Sequence, residues 1–438
     1  MRYSAVAFLL VANVSFAEID IRGIFDTQAS YVVDNTENYS SRLQNFDNRL
    51  GVEIESSFDN GFRFYSETVL RYESTDNLEP YRPTQDSSDK LNRRWLIDSK
   101  TELELREFYV DGYIEDVFIR LGKQQVVWGQ ADGLQVLDVV NPLRYREFIS
   151  DDLEDRRIPL WTANVEFPVR DWTMQLLWIP DQTYHAYPEA GASYQVRSTK
   201  LTPLLTGNQQ VLFERQEKPD RFWQDSDYGM RLTGFVSGWD VGLGYLNQIN
   251  NGRAVAQFTG DDVLHIRTGY VRTHLLGATV AKAFGSVTVR SELGYLSDTV
   301  PLGVPSTSPA TLEQSATREF KGVIGLDYNG ISDTLLSAQW FLSHIAGESH
   351  AYVRDKQEQQ VSFLVKRDFY NQTFSLEGLL VHSLNDADGY WNISANYRYR
   401  SNITLISQID RYYGAREGVF GQFRDQSRVS IGLSYAFQ

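Results

Sequence analysis

The chain has 438 residues, with 42 Lys and Arg against 57 Asp and Glu, 42% hydrophobic and 13% aromatic residues, and no cysteine. A formal charge of −15 argues against a nucleic-acid partner. The missing cysteine excludes a disulfide framework, a thiolate metal site, a cysteine nucleophile and a lipid-anchored N-terminal cysteine.

Arg2 precedes an apolar run from Ala5 to Val14, and Ser15-Phe16-Ala17 places small residues at the two positions a signal peptidase reads. This predicts a cleaved export leader over 1–17, because spanning a bilayer as a helix takes about 20 apolar residues. Residues 18–438 then read as one β domain. Ile19, Ile21 and Phe25 alternate with Asp20, Arg22 and Asp26, and Leu50, Val52 and Ile54 with Arg49, Glu53 and Glu55. Tyr228, Met230 and Leu232 oppose Arg231 and Thr233, while Val287, Val289 and Leu293 oppose Arg290 and Glu292. Trp391, Ile393 and Tyr397 oppose Asn392, Asn396 and Arg398, and the chain ends on Val429, Ile431, Leu433, Tyr435 and Phe437 at every second position. Such strands are greasy on one side and polar on the other.

Tight turns are predicted at Asp59-Asn60-Gly61, Glu115-Asp116, Arg170-Asp171, Ser237-Gly238, Gly285-Ser286, Gly330 to Asp333, Tyr370-Asn371 and Ser401-Asn402. Between them lie longer connections near 35–45, 75–100, 125–158, 181–225, 250–271, 298–318, 347–357, 385–388 and 414–426. This rhythm predicts an all-β fold, a transmembrane antiparallel β-barrel of about 18 strands, with about 16 as second choice. Phe58, Phe62, Phe167, Trp172, Trp239, Phe284, Phe374 and Phe437 bracket the tight turns as one aromatic girdle. Tyr31, Tyr72, Trp178, Tyr245 and Trp340 would form the other, although Trp172 to Trp178 spans only about 20 Å of strand, short for a tilted crossing. The competing reading is a soluble secreted β-propeller or β-sandwich that binds carbohydrate.

A barrel of this size encloses water. Its expected lining includes Arg22, Arg49, Glu53, Glu55, Arg63, Glu67, Arg71, Arg106, Arg120, Arg231, Arg290, Glu292, Lys321, Lys366, Glu377 and Arg398, either as a selective surface or as a structural salt-bridge network. The segment 125–158 stands apart, because Leu134, Val136, Leu137, Val139 and Val140 are too apolar for an exposed loop. It is expected to fold inward. Asn141-Pro142 would open a short helix. Asp132, Asp138, Arg144, Arg146, Glu147, Asp151, Asp152, Glu154, Asp155, Arg156 and Arg157 would then form a constriction or plug; the alternative is an outer cap of paired charges.

Around this segment the chain resembles the domain-of-unknown-function 1302 family of proteobacterial outer-membrane proteins. The likeness is carried by Leu121-Gly122-Lys123-Gln124, Trp128-Gly129, Ala131-Asp132-Gly133-Leu134 and Asp138-Val139-Val140-Asn141-Pro142, and continues at Arg146-Glu147-Phe148, Asp151-Asp152, Arg157-Ile158-Pro159-Leu160-Trp161 and Leu176-Leu177-Trp178-Ile179-Pro180-Asp181. The resemblance implies a large barrel and, through neighbouring genes for periplasmic lipid carriers and inner-membrane exporters, lipidic cargo. It supplies no catalytic residue.

The six histidines, His185, His265, His274, His344, His350 and His382, are scattered, without a G-x-S-x-G elbow or an H-E-x-x-H motif. Asp151, Asp152, Glu154 and Asp155 have the oxygen ligands of a Ca²⁺ site, but Arg156 and Arg157 can neutralise them. No cofactor, metal or enzymatic activity is therefore expected. The first expectation for function is a channel for small or amphipathic solutes; the second is a docking component of a lipid or polymer export system. Expected partners are outer-membrane lipids and lipopolysaccharide, the barrel assembly machinery and a periplasmic lipid carrier.

Overall fold

A computed structural model describes residues 16–33, 42–203, 210–215, 218–260, 262–305, 311–347 and 352–438. The leader expectation lies outside them up to residue 15, as does His350. Among the described residues, eighteen strands form the wall. They are β1 (Phe16–Val32), β2 (Leu43–Phe58), β3 (Arg63–Glu73), β4 (Thr101–Ile114), β5 (Val117–Gln124), β6 (Leu160–Val169), β7 (Trp172–Ile179), β8 (Asp227–Val236) and β9 (Trp239–Ile249). The second half comprises β10 (Arg272–Phe284), β11 (Val287–Thr299), β12 (Thr317–Ile331), β13 (Thr334–Ile345), β14 (Gln357–Phe369), β15 (Phe374–Ser383), β16 (Gly389–Arg400), β17 (Ile403–Tyr413) and β18 (Arg428–Phe437). Each pairs antiparallel with its neighbours in sequence. The ring closes where β1 meets β18, from Gly23 opposite Phe437 to Val32 opposite Arg428. Closure leaves no open edge, which in hydrocarbon would cost several kcal/mol per unpaired backbone group.

Every tight turn falls where the sequence places it. Ser237 and Gly238, with φ of 51° and 82°, show why: both central residues of this two-residue turn occupy the left-handed region. The long connections share the opposite rim. Three of them carry strands not foreseen in the sequence: Trp95–Leu96 pairs with Leu103 and Glu102 of β4, and 210–215 lies parallel to 263–269, which pairs antiparallel with 254–260 in a separate sheet.

The outward rows are apolar and exposed, with Ile19, Ile21, Leu243, Leu276, Leu293, Ile324, Phe363 and Ile431 as examples. At the tight-turn rim Trp239 meets Phe284 edge-on at 6.0 Å and Phe369 meets Phe374 at 5.7 Å. The apparent shortfall on β7 is made up by loops. Trp223 stacks on Trp178 at 5.2 Å, and the exposed Phe222, Leu91 and Trp95 extend the apolar exterior beyond the short strands β5 to β7. One bulge matters for the interior: Glu67 faces Glu107 but Thr68 faces Leu105, so Arg106 is the extra residue. Arg106 joins Glu107 on the lumen side and reaches Glu67 at 3.4 Å.

Candidate functional site

The segment 125–158 folds into the lumen and makes two chemically different contacts with the wall. Its neck is closed by Asn141, whose Oδ1 accepts from the Val126 N–H at 2.7 Å and whose Nδ2 donates to the Ile158 carbonyl at 2.9 Å. Leu143 then bridges Arg157, and the Arg144 N–H donates to the Arg156 carbonyl at 2.7 Å. The expected helix at Asn141-Pro142 is therefore absent. Asn141 spends its amide on joining two chain segments, and the residues after it pair laterally; the only α-helical turn among the described residues is Leu153–Arg156.

The first half of the segment is greasy. Trp128, Val136, Leu137 and Val140 are buried against Leu177, Leu246, Leu275, Leu296, Val323 and Phe341 on the inner face of β7 to β13. Each such side chain removed from water contributes about 1.5–3 kcal/mol. The wall makes room by omitting side chains, since a Cβ at Gly277 would lie 2.8 Å, and one at Gly294 3.1 Å, from Leu137 Cδ2. A Cβ at Gly229 would lie 3.2 Å from the Trp128 ring. Polar ties fix the register. Asp132 accepts from Arg290 and from Gln339 Nε2 at 2.8 Å, and the Glu292 carboxylate accepts backbone N–H groups of Gln130 and Leu137. Arg231 donates to the Val127 carbonyl at 3.4 Å, and Trp128 Nε1 to Gln175 at 2.9 Å.

The second half is charged and crosses to the other wall. Arg144 grips Glu104 of β4 with two bonds of 2.8 Å, while Arg146 pairs with Glu79 and, at 2.5 Å, with Glu102. Arg94 holds the same two acids, at 2.9 Å to Glu79 Oε1. Glu147 pairs with Arg428, which also holds Asp410 at 2.9 Å. Arg49 reaches Asp155 at 3.4 Å and Asp151 at 3.8 Å, and Arg106 donates to the Glu154 and Asp155 carbonyls, each at 3.1 Å. Phe148 packs at 4.6 Å from Phe423. Asp138 and Arg157 pair within the segment at 2.6 Å, and Arg156 donates to the Phe148 carbonyl. Asp152 precedes the helical turn without capping it, its carboxyl raised by burial and by Asp155 and Asp151.

Two water-accessible spaces flank this charged half. One, of about 200 Å³, lies between residues 144–156 and the inner face of β1 to β4, lined by Asp26, Arg49, Glu53, Glu67 and Arg71 among others. The other, of about 250 Å³, lies among residues 79–94 and 185–189 on the loop side. Arg144 lines both; Glu79 and Arg94 line the loop-side space, Glu102 and Arg146 the lumen-side one. The partition between the two spaces is thus an ion cluster of Glu79, Arg94, Glu102 and Arg146, with the Arg144–Glu104 pair beside it.

A family model described as protein of unknown function (DUF1302) matches residues 12–360. The chain belongs to this family. No curated protein matches the DUF1302 chain in sequence. Among solved structures, Acinetobacter baumannii OccAB3 is similar with a TM-score of 0.52 at 9% identity, covering 96% of this chain and 99% of that one. A mutant of the Rh. blastica porin has a TM-score of 0.42 at 11% identity, covering 96% and 100%. At 9% identity the likeness to OccAB3 shows the barrel fold alone.

In this DUF1302 barrel the structure gathers Asp132, Arg144, Arg146, Glu147, Asp151, Asp155, Arg290 and Glu292 at the contacts between segment and wall. It does not bring Arg120 or Arg398 there. Arg120 pairs with Asp111 at 2.7 Å on the wall, and Arg398 is exposed beside the turn at Tyr370, its N–H donating to the Thr373 carbonyl. Sequence reasoning missed Glu79, Arg94, Glu102, Glu104, Asp410 and Arg428. The run Thr101 to Phe108 did carry a signal, with Glu102, Glu104 and Arg106 at alternate positions.

The glycine floor gives a direct test. Gly277→Val places methyl groups where Leu137 sits, and overpacking of this kind costs about 1–3 kcal/mol. The wall strand itself tolerates Val. The expected result is faster proteolysis within 126–158 in folded, detergent-solubilised barrels; unchanged protection would show that Leu137 does not seat there.

Proposed function

We propose that this chain is an outer-membrane channel for small polar solutes, exported by its leader, in which the 125–158 segment restricts a passage along β1 to β4. Its work is selection rather than bond chemistry. The observation that carries the reading is the pair of water-accessible spaces that share Arg144 and flank the ion cluster of Glu79, Arg94, Glu102 and Arg146, since side chains can exchange partners without unfolding the wall. The route below the partition carries both signs with a slight excess of acid: seven carboxylates and six arginines line the lumen-side space, and Glu53, Glu67 and Glu107 share one cross-strand row with Arg22. A lining of this kind favours cations. In planar bilayers, purified protein is expected to give small unitary currents whose reversal potential in a salt gradient reports weak cation preference. Copurified lipid together with negligible conductance would overturn the channel in favour of a lipid-export component.

Acid should loosen the partition. Burial works against ionisation of Glu79, but Arg146 and Arg94 outweigh it and hold the carboxyl well below its ordinary range. His185, whose Nδ1 accepts the Leu143 N–H at 2.8 Å, is pushed down to about 3 by burial and by Lys321. Both groups are less protonated in the seated state than when released, so both stabilise seating at neutral pH. The His185 contribution is complete above about pH 6.5 and is lost as pH falls toward 3; the Glu79 contribution begins to go only below about 4.5. Conductance is expected to be flat from pH 8 to 7 and to rise below about 6, by at most about tenfold in the open-to-closed ratio per pH unit for one group. His185→Gln should flatten the profile between pH 6.5 and 4.5, and an identical profile would remove His185 from the account.

A further inference from the structure

We propose that the outward face of residues 90–97, with the aromatic wall beside it, is a docking site for lipopolysaccharide, whose phosphates meet Lys90 and Arg93 and whose acyl chains lie along the neighbouring rings. This rests on the outer-membrane location in the channel reading and goes beyond its account of transport.

Antiparallel pairing fixes which way the segment faces. Trp95 lies opposite Leu103, and the same cross-strand row continues through Leu70, Leu50 and Phe25 on the lipid side. Directly opposed residues share a face, so Trp95 points outward too. Leu91, Arg93, Trp95 and Ile97 are exposed while Asn92 and Arg94 are buried, an alternation that carries Arg93 onto that same face. The buried pair anchors the segment, Asn92 to the Pro159 carbonyl and Arg94 to Glu79 and Glu102.

Depth decides what Arg93 can meet. Continuing the register puts it beside Leu105, nine residues from the tight-turn end of β4 at Ile114. With a rise of ~3.3 Å per residue and a tilt of ~40°, that is about 23 Å, near the top of an apolar band ~25 Å tall. Lipid phosphates lie at that level. Lys90 is exposed as well, and neither cation's side chain has a hydrogen bond or ion pair among the described residues. The acids of the segment are used locally: Asp89 accepts the Leu91 N–H at 2.9 Å, and Asp98 accepts those of Lys100 and Thr101 at 2.7 Å.

The surface beside these cations is apolar and broad. Trp161 Nε1 donates to the Leu91 carbonyl at 3.3 Å, and Ala163, two residues along the same face, pairs with Trp178, on which Trp223 stacks. Leu91, Trp95 and Trp223 are 75%, 59% and 70% exposed. A phospholipid offers one phosphate over two chains. Separate cations along a wide aromatic strip suit a headgroup with more than one phosphate over several chains.

The test titrates the full-length protein, in an uncharged detergent, with diphosphoryl lipid A, monophosphoryl lipid A and phosphatidylglycerol, read by native mass spectrometry, with conductance measured on the same preparations. Diphosphoryl lipid A is expected to bind most tightly. Lys90→Gln and Arg93→Gln should each weaken it about fivefold, and Arg93→Lys much less, because a cation at a charged lipid surface acts through its charge. Both side chains are exposed, so heat-modified migration should still report a closed barrel. Phosphatidylglycerol binding as tightly as diphosphoryl lipid A, or lipid A binding unmoved by the double Gln variant, overturns the site. Conductance without lipid A binding overturns the site and spares the channel, whereas lipid A binding without conductance overturns the channel alone.

Discussion

Deleting residues 130–155 should raise single-channel conductance several-fold. The strands left behind are already paired up to Gln124 of β5 opposite Leu160 of β6, so the remaining residues 125–129 and 156–159 with a short glycine-serine link can close the connection. The wall pairs without help from the segment, its contacts running from strand to strand around the closed ring. What disappears is the body joining the glycine floor of β8 to β11 to the charged face of β4 and β18. Arg290, Glu292, Glu102 and Glu104 are then returned to water, where ionised groups need no protein partner. Heat-modified migration in gels should still report a closed barrel. Unchanged conductance would sink the constriction.

Arg146→Ala is the single substitution with the largest expected effect. Arg146 is 4% exposed and stands between Glu79 and Glu102, which would keep Arg94 and, for Glu102 alone, the more distant Arg71 at 3.9 Å. Removing one member of a buried ion cluster costs about 3–5 kcal/mol, because the remaining charges stay desolvated. The expected outcome is release of residues 144–157, seen as new protease cleavage there and as higher, more cation-selective conductance. Adding Glu102→Gln should recover part of the loss by removing the stranded charge. A single variant that melts and conducts like the parent would show that the cluster does not hold the segment.

The wall was legible in the sequence because a membrane-facing strand must alternate along its whole length, and turns between paired strands need residues that accept positive φ. The inward fold of 125–158 was legible for a related reason: Val136, Leu137 and Val140 cannot stay wet. What they would rest on was not, because glycines such as Gly277 and Gly294 mark a gap only once their strands are side by side. Asn141 misled for the same reason, as an asparagine before proline suits a helix start until Val126 and Ile158 are known to lie beside it. Glu79 and Arg94 sit in irregular backbone, where no period ties charge to place. Leu91, Trp95 and Trp223, which complete the exterior above β5 to β7, belong to long connections whose short turn and two-residue strand have no period to read.

The unlike edges of the inserted segment decide which one gives way. Close-packed aliphatic contact has no preferred direction and survives small rotations, and on Gly277 and Gly294 it is backed by the Asp132 and Glu292 ties, so that edge is the better anchored and serves as a pivot. Guanidinium–carboxylate forks hold only when aligned, so the edge on Glu102 and Glu104 is the latch. Any swing therefore parts the ionised side, and whatever moves through travels past hydrophilic groups and never across the oily one.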